Sequence, residues 1–271
     1  MIAVELRKLV LSRRTWVTIL LIDALPTLVG ILLAVTDIGP RPGTGPAFLS
    51  AVLTDGTLFP LAALGIVLPL FLPIAVAVTA GEAIAGEAQQ GTLRYLLVRP
   101  VGRTRLLVAK LVSVMVFVVL TVLVVAATAY VLGALLLGSE SVSTGATSVS
   151  GTGLSTQEMV LRTLLALAYA MLCMLGVAAI ALFLSTVVRA PLSAALGTMG
   201  VLVASTLLLT LDAAHVLQPY LPTRYWLAFV DLFRDPILWR DVERGVLLQA
   251  AYVVVFLGAA WANFMTKDVT D

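Results

Sequence analysis

The sequence predicts an all-α integral membrane protein with six transmembrane helices. An N-terminal interfacial helix, a short cytoplasmic helix between the second and third spans, and short outer helices before the last span complete it. Three observations lead there. Only 12% of the 271 residues are charged, about half the roughly 25% found in soluble domains, while 61% are hydrophobic. The apolar residues are gathered into long blocks, several exceeding the ~20 residues that cross ~30 Å of hydrocarbon. Basic residues are also divided unequally between alternate connections, which sets orientation in a membrane.

Met1–Arg14 places Ile2, Leu6 and Leu9 on one helical face and intersperses them with charge, as an interfacial helix does, although Val4 and Leu11 lie off that face. Basic residues before an apolar run also suit a signal peptide. The run from Trp16 to Val35 nevertheless continues without a small-residue cleavage site, so it is read as a retained span. The other spans are Leu58–Ala80, Leu106–Leu137, Val160–Leu184, Leu192–Leu211 and Val246–Phe264. All are predicted helical, because an open strand in lipid leaves backbone groups unpaired. The third is long enough to tilt or project. The second contains Pro60, Pro69 and Pro73, and the last two are expected to kink it by removing backbone hydrogen bonds. Residues 213–245 are aromatic, charged and too broken to span, and are expected to form short helices in the outer interface.

Orientation follows from arginine and lysine. Arg7, Lys8, Arg13, Arg14, Arg94, Arg99, Arg103, Arg105, Lys110, Arg189 and Lys267 fall on one side, against Arg41, Arg162, Arg224, Arg234, Arg240 and Arg244 on the other. The positive-inside rule puts both termini in the cytoplasm, and a bacterial inner membrane is the expected location. Trp16 and Trp261 at the cytoplasmic ends, with Trp226 and Trp239 in the outer segment, fit indole's preference for the interface. A net charge of +2 gives no reason to expect a nucleic-acid partner. Cys173, the only cysteine, cannot form an intrachain disulfide and reads as a buried packing residue.

The connection from Gly81 to Lys110 carries the most information. Its GEAQQGT run (Gly86–Thr92) spaces two glycines like a phosphate-binding loop, but Thr92 stands where the Walker lysine belongs. Thr92 can cap a helical turn over Leu93–Val98, and Pro100 and Gly102 end it. Thr104 is a candidate cap for the third span. The short helix would set Leu93, Leu96 and Leu97 beside Arg94, Tyr95 and Arg99, an apolar ridge with a basic rim suited to a groove on a partner. Positive charge that simply holds the loop inside is the alternative reading of Arg94, Arg99 and Arg103.

The run GEAIAGEAQQGTLRYLLVRPVGRTRLLVAK (Gly81–Lys110) resembles the coupling-helix region of ABC-type-2 exporter permeases. The likeness extends to Glu5–Lys8, the six spans, the outer segment and the ending Phe264–Asp268, making residues 1–271 a single transmembrane domain. The resemblance implies two permease chains, the same or homologous, paired in the lipid bilayer to form an export pathway. Two copies of a separate ATPase would drive them and would bind the ATP and Mg, leaving no cofactor and no catalytic site in this chain. In the coupling region, 81–105, Glu87, Gly91, Thr92, Leu93, Arg94, Tyr95, Leu96, Leu97, Arg99 and Arg103 would face the ATPase. Ser185–Ala190, with Arg189, would supply a second contact, and Glu5, Arg7 and Lys8 would lie on the interfacial helix. The first, second and fifth spans would line the path.

Several residues admit two readings. Asp23, inside the first span, is functional by default in a membrane, or it pairs with a basic residue near the cytoplasmic end. Asp23, Pro69, Pro73 and Met199 are candidate pathway residues, although Met171, Met174 and Met199 equally suit ordinary packing. Glu82 reads as a solvated helix end, and Arg162 and Asp212 as snorkelling boundary residues. A single histidine, His215, builds no metal site. The absence of Gly-x-Ser-x-Gly, His-Glu-x-x-His and paired aspartates argues against a membrane enzyme. A secondary transporter or channel not driven by ATP is the remaining alternative, supported only by Asp23 and the proline-rich second span.

Overall fold

The computed structural model of the chain describes residues 2–36, 56–91, 102–136, 146–147 and 153–266. They form α1 (Ile2–Leu11), α2 (Arg13–Thr36), α3 (Phe59–Val67), α4 (Phe71–Gln89), α5 (Arg103–Leu136), α6 (Thr156–Val187), α7 (Pro191–Thr210) and α8 (Trp239–Thr266). Single-turn 3-10 segments occur at Gly56–Leu58, Asp212–Ala214 and Gln218–Tyr220, with a longer one at Ala228–Phe233. The strands β1 (Ala146–Thr147) and β2 (Gly153–Leu154) form a two-residue antiparallel pair. Among the described residues, α2, α4, α5, α6, α7 and α8 are long and apolar enough to cross a membrane. The chain is an all-α, multi-pass membrane protein.

Successive spans run in opposite directions, so α1 and the end of α8 share one end of the bundle. Packing is closest between α6 and α8, while α4 sits against both α6 and α7. One apolar core runs from Ile19 and Phe59 through Phe117, Cys173 and Met174 to Phe229 and Phe233. Local sequence sets several boundaries. Ser155 Oγ accepts the Glu158 N–H at 3.2 Å while the Glu158 carboxylate accepts the Ser155 N–H at 2.9 Å, a reciprocal cap that starts α6. Pro191 opens α7, where a missing N–H costs nothing. Gly102, not Thr104, starts α5, because its carbonyl accepts the N–H groups of Arg105 and Leu106. The Thr104 hydroxyl instead accepts the Trp261 indole N–H at 2.9 Å.

The second span departs from its predicted bounds. α3 ends at Val67, Leu68–Leu70 turn, and α4 starts afresh at Phe71. Pro69 occupies that turn and Pro73 the first turn of α4, so the chain is broken here rather than kinked. α2, by contrast, stays helical through Pro26. α4 also continues to Gln89, so the first nine residues of the predicted cytoplasmic connection are helix, and Gly81 is buried. α8 begins at Trp239, which shortens the predicted outer segment.

Part of that segment packs into the bundle. Trp226, Phe229, Leu232 and Phe233 are buried in the bundle core. Trp226 is therefore not a belt residue, and among the described residues its indole N–H meets no acceptor. Arg162 does not snorkel either. It is buried, and its guanidinium donates to the carbonyls of Leu232 at 3.2 Å and Arg234 at 2.8 Å. Tyr169 donates to the Tyr225 carbonyl at 2.7 Å and Gln249 to that of Pro222 at 2.8 Å. These donors satisfy a backbone of short turns whose carbonyls would otherwise face an apolar interior. His215 is exposed.

Candidate functional site

Polar side chains converge at the α1 end of the bundle. Lys110 lies two turns into α5 and is 4% exposed. Its ammonium donates to Glu5 of α1 at 3.0 Å and makes a second, closer ion pair with Glu87 of α4. Three helices, including the two that bound the 90–102 connection, therefore meet at one charge. A buried lysine is tolerated when opposite charge surrounds it, and removing a partner from such a pair is costly. Beside it, Arg14 of α2 pairs with Glu82 of α4 at 2.6 Å. That pair is largely exposed and adds little by itself.

A second junction joins α4 to α6. Ser185, fully buried, donates to the Gly81 carbonyl at 2.7 Å and accepts the N–H groups of Ile84 at 3.2 Å and Ala85 at 2.9 Å. Gly81 also touches α7: a β-carbon there would lie 3.1–3.3 Å from Ala195 N, the Pro191 carbonyl and Ala194 Cβ. A third junction closes α8 onto α5. Arg103 donates to the carbonyls of Phe264 at 3.1 Å and Met265 at 2.7 Å, placing a cation at a helix C-terminus. Asn263 donates to Thr186 at 2.9 Å.

The glycines of the Gly86–Thr92 run now have a physical account. Gly86 is inside α4, against Pro191. Gly91 follows the helix end with φ +68° and donates to the Ala88 carbonyl at 3.1 Å. It is the left-handed residue that ends a helix, where other side chains are strained. A phosphate loop precedes a helix, whereas this glycine pair belongs to the end of one.

Of the residues expected to face an ATPase, Thr92, Leu93, Arg94, Tyr95, Leu96, Leu97 and Arg99 lie outside the described residues. Gly91 and Arg189 are exposed, as are Arg7 and Lys8. Glu87 is turned inward onto Lys110, and Arg103 is engaged with the end of α8. Ser185, placed in the second contact by its sequence position, is buried between helices and offers nothing outward. Glu82 lies two turns before the end of α4 and is the half-exposed partner of Arg14.

A cavity of about 860 Å³ opens beside the Lys110 junction, between α1, α2, α4 and α5. The fifth span, α7, contributes only Pro191. Asp23, Pro69, Pro73 and Met199 do not line it. Asp23 is buried and accepts the Thr128 hydroxyl of α5 at 2.6 Å, and among the described residues it forms no ion pair with a basic residue. Pro69 is exposed in its turn, and Met199 packs on the core.

Lys110 is the residue that sequence reasoning undervalued, counting it only as a positive charge. The signal was its position four residues inside a predicted span, where a lysine needs a partner. Among the described residues no cluster of metal-ligating side chains occurs. No curated protein matches the chain. A family model described as an ABC-2 family transporter protein matches residues 1–203, from α1 into α7. The chain belongs to that family, as a multi-pass membrane permease of an ABC transporter.

Proposed function

We propose that this permease pairs with a second copy or a homologous chain and that each docks a separate ATPase through the connection between α4 and α5. ATP and Mg bind in the ATPase, and closure of the ATPase dimer rocks the permease halves to export a substrate. Gly91–Arg99 is the segment that faces the ATPase, with Arg189 in a second contact and both termini on the cytoplasmic side of a bacterial inner membrane. This component needs no catalytic residue of its own, as is normal for the family.

The observation that carries this reading is the junction of Glu5, Lys110 and Glu87. It ties both ends of the connection to each other and to α1, so a displacement of the docking segment is passed to α4 and α5 together. A loose loop would absorb the same displacement. The test is co-purification of the tagged chain in mild detergent with the ATPase encoded nearest its gene. A variant carrying both Leu96→Asp and Arg99→Glu, checked for folding and insertion, is expected to lose the ATPase. If the folded wild-type chain captures no ATPase under any nucleotide condition, the reading fails and a transporter not driven by ATP replaces it.

A further inference from the structure

The cavity beside Lys110 changes from polar to apolar along the helices that wall it. On α5 its lining passes from Lys110 through Ser113 to Val114 and Phe117. On α4 it passes from Glu82 through Val78 to Ala75 and Phe71. The polar part lies at the α1 end and the apolar part deeper in the bundle. The space opens in two directions. Lys8, Arg14 and Gln89 are exposed at the polar mouth, and Leu21 and Ile74 are exposed on the side that faces hydrocarbon. Its volume of about 860 Å³ lies within the range of roughly 300–1,000 Å³ in which clefts bury small ligands.

Charge in the lining balances, with Lys8, Arg14 and Lys110 against Glu5, Glu82 and Glu87. These groups differ in how open they are. Lys110 is buried, and its ammonium is already shared by Glu5 and Glu87. Arg14 and Glu82 form an open pair, with side chains 65% and 37% exposed, that a ligand can approach. Lys8 is exposed at the same mouth and makes no ion pair among the described residues. Ser113, one turn beyond Lys110, is only 9% exposed and borders the space. Among the described residues its hydroxyl makes no hydrogen bond. A buried polar group without a partner is rare enough to call for one.

From this combination we infer that the cavity binds a zwitterionic phospholipid from the leaflet at the α1 end. Its phosphate lies at Lys8 and Arg14, which make strong charge-assisted bonds to such oxygens. Its ammonium lies at Glu82, and an ester carbonyl accepts the Ser113 hydroxyl. One acyl chain runs inward along Ala75, Phe117 and Phe71, while the other stays in the bilayer past Leu21 and Ile74. A zwitterion replaces both partners of the Arg14–Glu82 pair at once, so neither charge is left alone. An anionic head would engage Arg14 and leave Glu82 without its cation. A neutral glycerolipid would bring no charge to either. The inference goes beyond the proposed function, because binding requires neither the ATPase nor transport.

The test uses the purified full chain in maltoside micelles near pH 7 and radiolabelled dioleoyl phosphatidylethanolamine, with protein-free micelles as the partition control. Dioleoyl phosphatidylglycerol and dioleoylglycerol, which carry the same chains, serve as unlabelled competitors. The labelled lipid is expected to bind saturably and to be displaced by itself but not by equal concentrations of the other two. Ser113→Ala removes one neutral hydrogen bond and is expected to weaken binding about fivefold. Arg14→Gln combined with Glu82→Gln keeps the net charge, removes the open pair and is expected to weaken binding about tenfold. Val78→Trp fills the apolar part without touching the charges and is expected to abolish binding. Thermal unfolding of each variant confirms folding before binding is compared. Equal displacement by the anionic or the neutral lipid, or unchanged affinity in any of these folded variants, would overturn the assignment. Since no ATPase is present, none of these results bears on the docking reading.

Discussion

The Ser185 hydroxyl is inserted into the backbone of α4 at Gly81, donating to the Gly81 carbonyl at 2.7 Å and accepting two N–H groups one turn on. The turn of α4 that leads toward the docking segment is thus held by α6 rather than by its own helix alone. Ser185→Ala removes that acceptor and is expected to cost about 1–3 kcal/mol, the range for leaving buried polar groups unsatisfied. Gly81→Leu acts on the same seam by forcing α7 away from α4. The two substitutions meet at Gly81, so together their cost should depart from the sum by about 0.5–3 kcal/mol, as for groups in contact. Thermal unfolding in detergent of the two single variants and the double variant checks both statements.

The junction at Lys110 makes a prediction with an internal control. Lys110→Met leaves Glu5 and Glu87 facing each other without their shared cation, and the expected loss is about 3–5 kcal/mol. Replacing all three residues, with Glu5→Gln and Glu87→Leu added, should recover most of it, because apolar side chains of similar volume often match a buried ion pair. Melting temperatures in micelles give the comparison. If the triple variant recovers stability yet no longer supports ATPase-coupled transport, the charges serve coordination between helices rather than folding.

The legible parts of this molecule are those in which one physical rule dominates. Six apolar blocks gave spanning helices, the second of them broken into α3 and α4, because lipid offers backbone groups no alternative partner. The end of the Gly86–Thr92 run was legible in part: Thr92 in place of lysine excluded a phosphate loop, but the αL role of Gly91 needed the position of the α4 terminus. Illegible were the contacts in which a polar side chain inside the membrane finds backbone or charge far away in sequence. Arg162 read as a boundary residue because its distance from the bilayer edge is set by the span, whereas its partners, Leu232 and Arg234, come from turns with no periodicity. Trp226 misled for the same reason, since aromatic residues near a boundary suit a belt and a core equally well. Lys110 and Glu87 lie 23 residues apart, and only the antiparallel return of the chain brings them together.

Arg162 therefore supports a local rather than a global prediction. Arg162→Met keeps the bulk of the side chain and removes the donors to the Leu232 and Arg234 carbonyls. Hydrogen bonds to charged groups are worth about 1.5–3 kcal/mol each in context, so the segment Ala228–Phe233 should open more often. Amide hydrogen exchange over that segment is expected to accelerate about tenfold or more, while α4 and α5 keep their wild-type protection. Uniform acceleration throughout the bundle would show instead that Arg162 stabilises the whole fold.

Asp23 and Thr128 allow the two readings of an intramembrane carboxylate to be separated. Asp23→Asn preserves shape and still accepts the Thr128 hydroxyl, so its effect on unfolding should be small. Asp23→Leu removes the acceptor, and combined with Thr128→Val it completes a cycle whose coupling should be about 0.6 kcal/mol and at most about 1.7, as for other hydrogen bonds between membrane helices. Stability then isolates the structural share. Transport reports the rest: if Asp23→Asn unfolds like wild type but transports several-fold more slowly, the negative charge itself is used. If transport follows stability across all the variants, Asp23 is a helix-packing residue whose cost is offset by Thr128. The cavity geometry favours the second outcome, because Asp23 points at α5 and does not line the space where a ligand would sit.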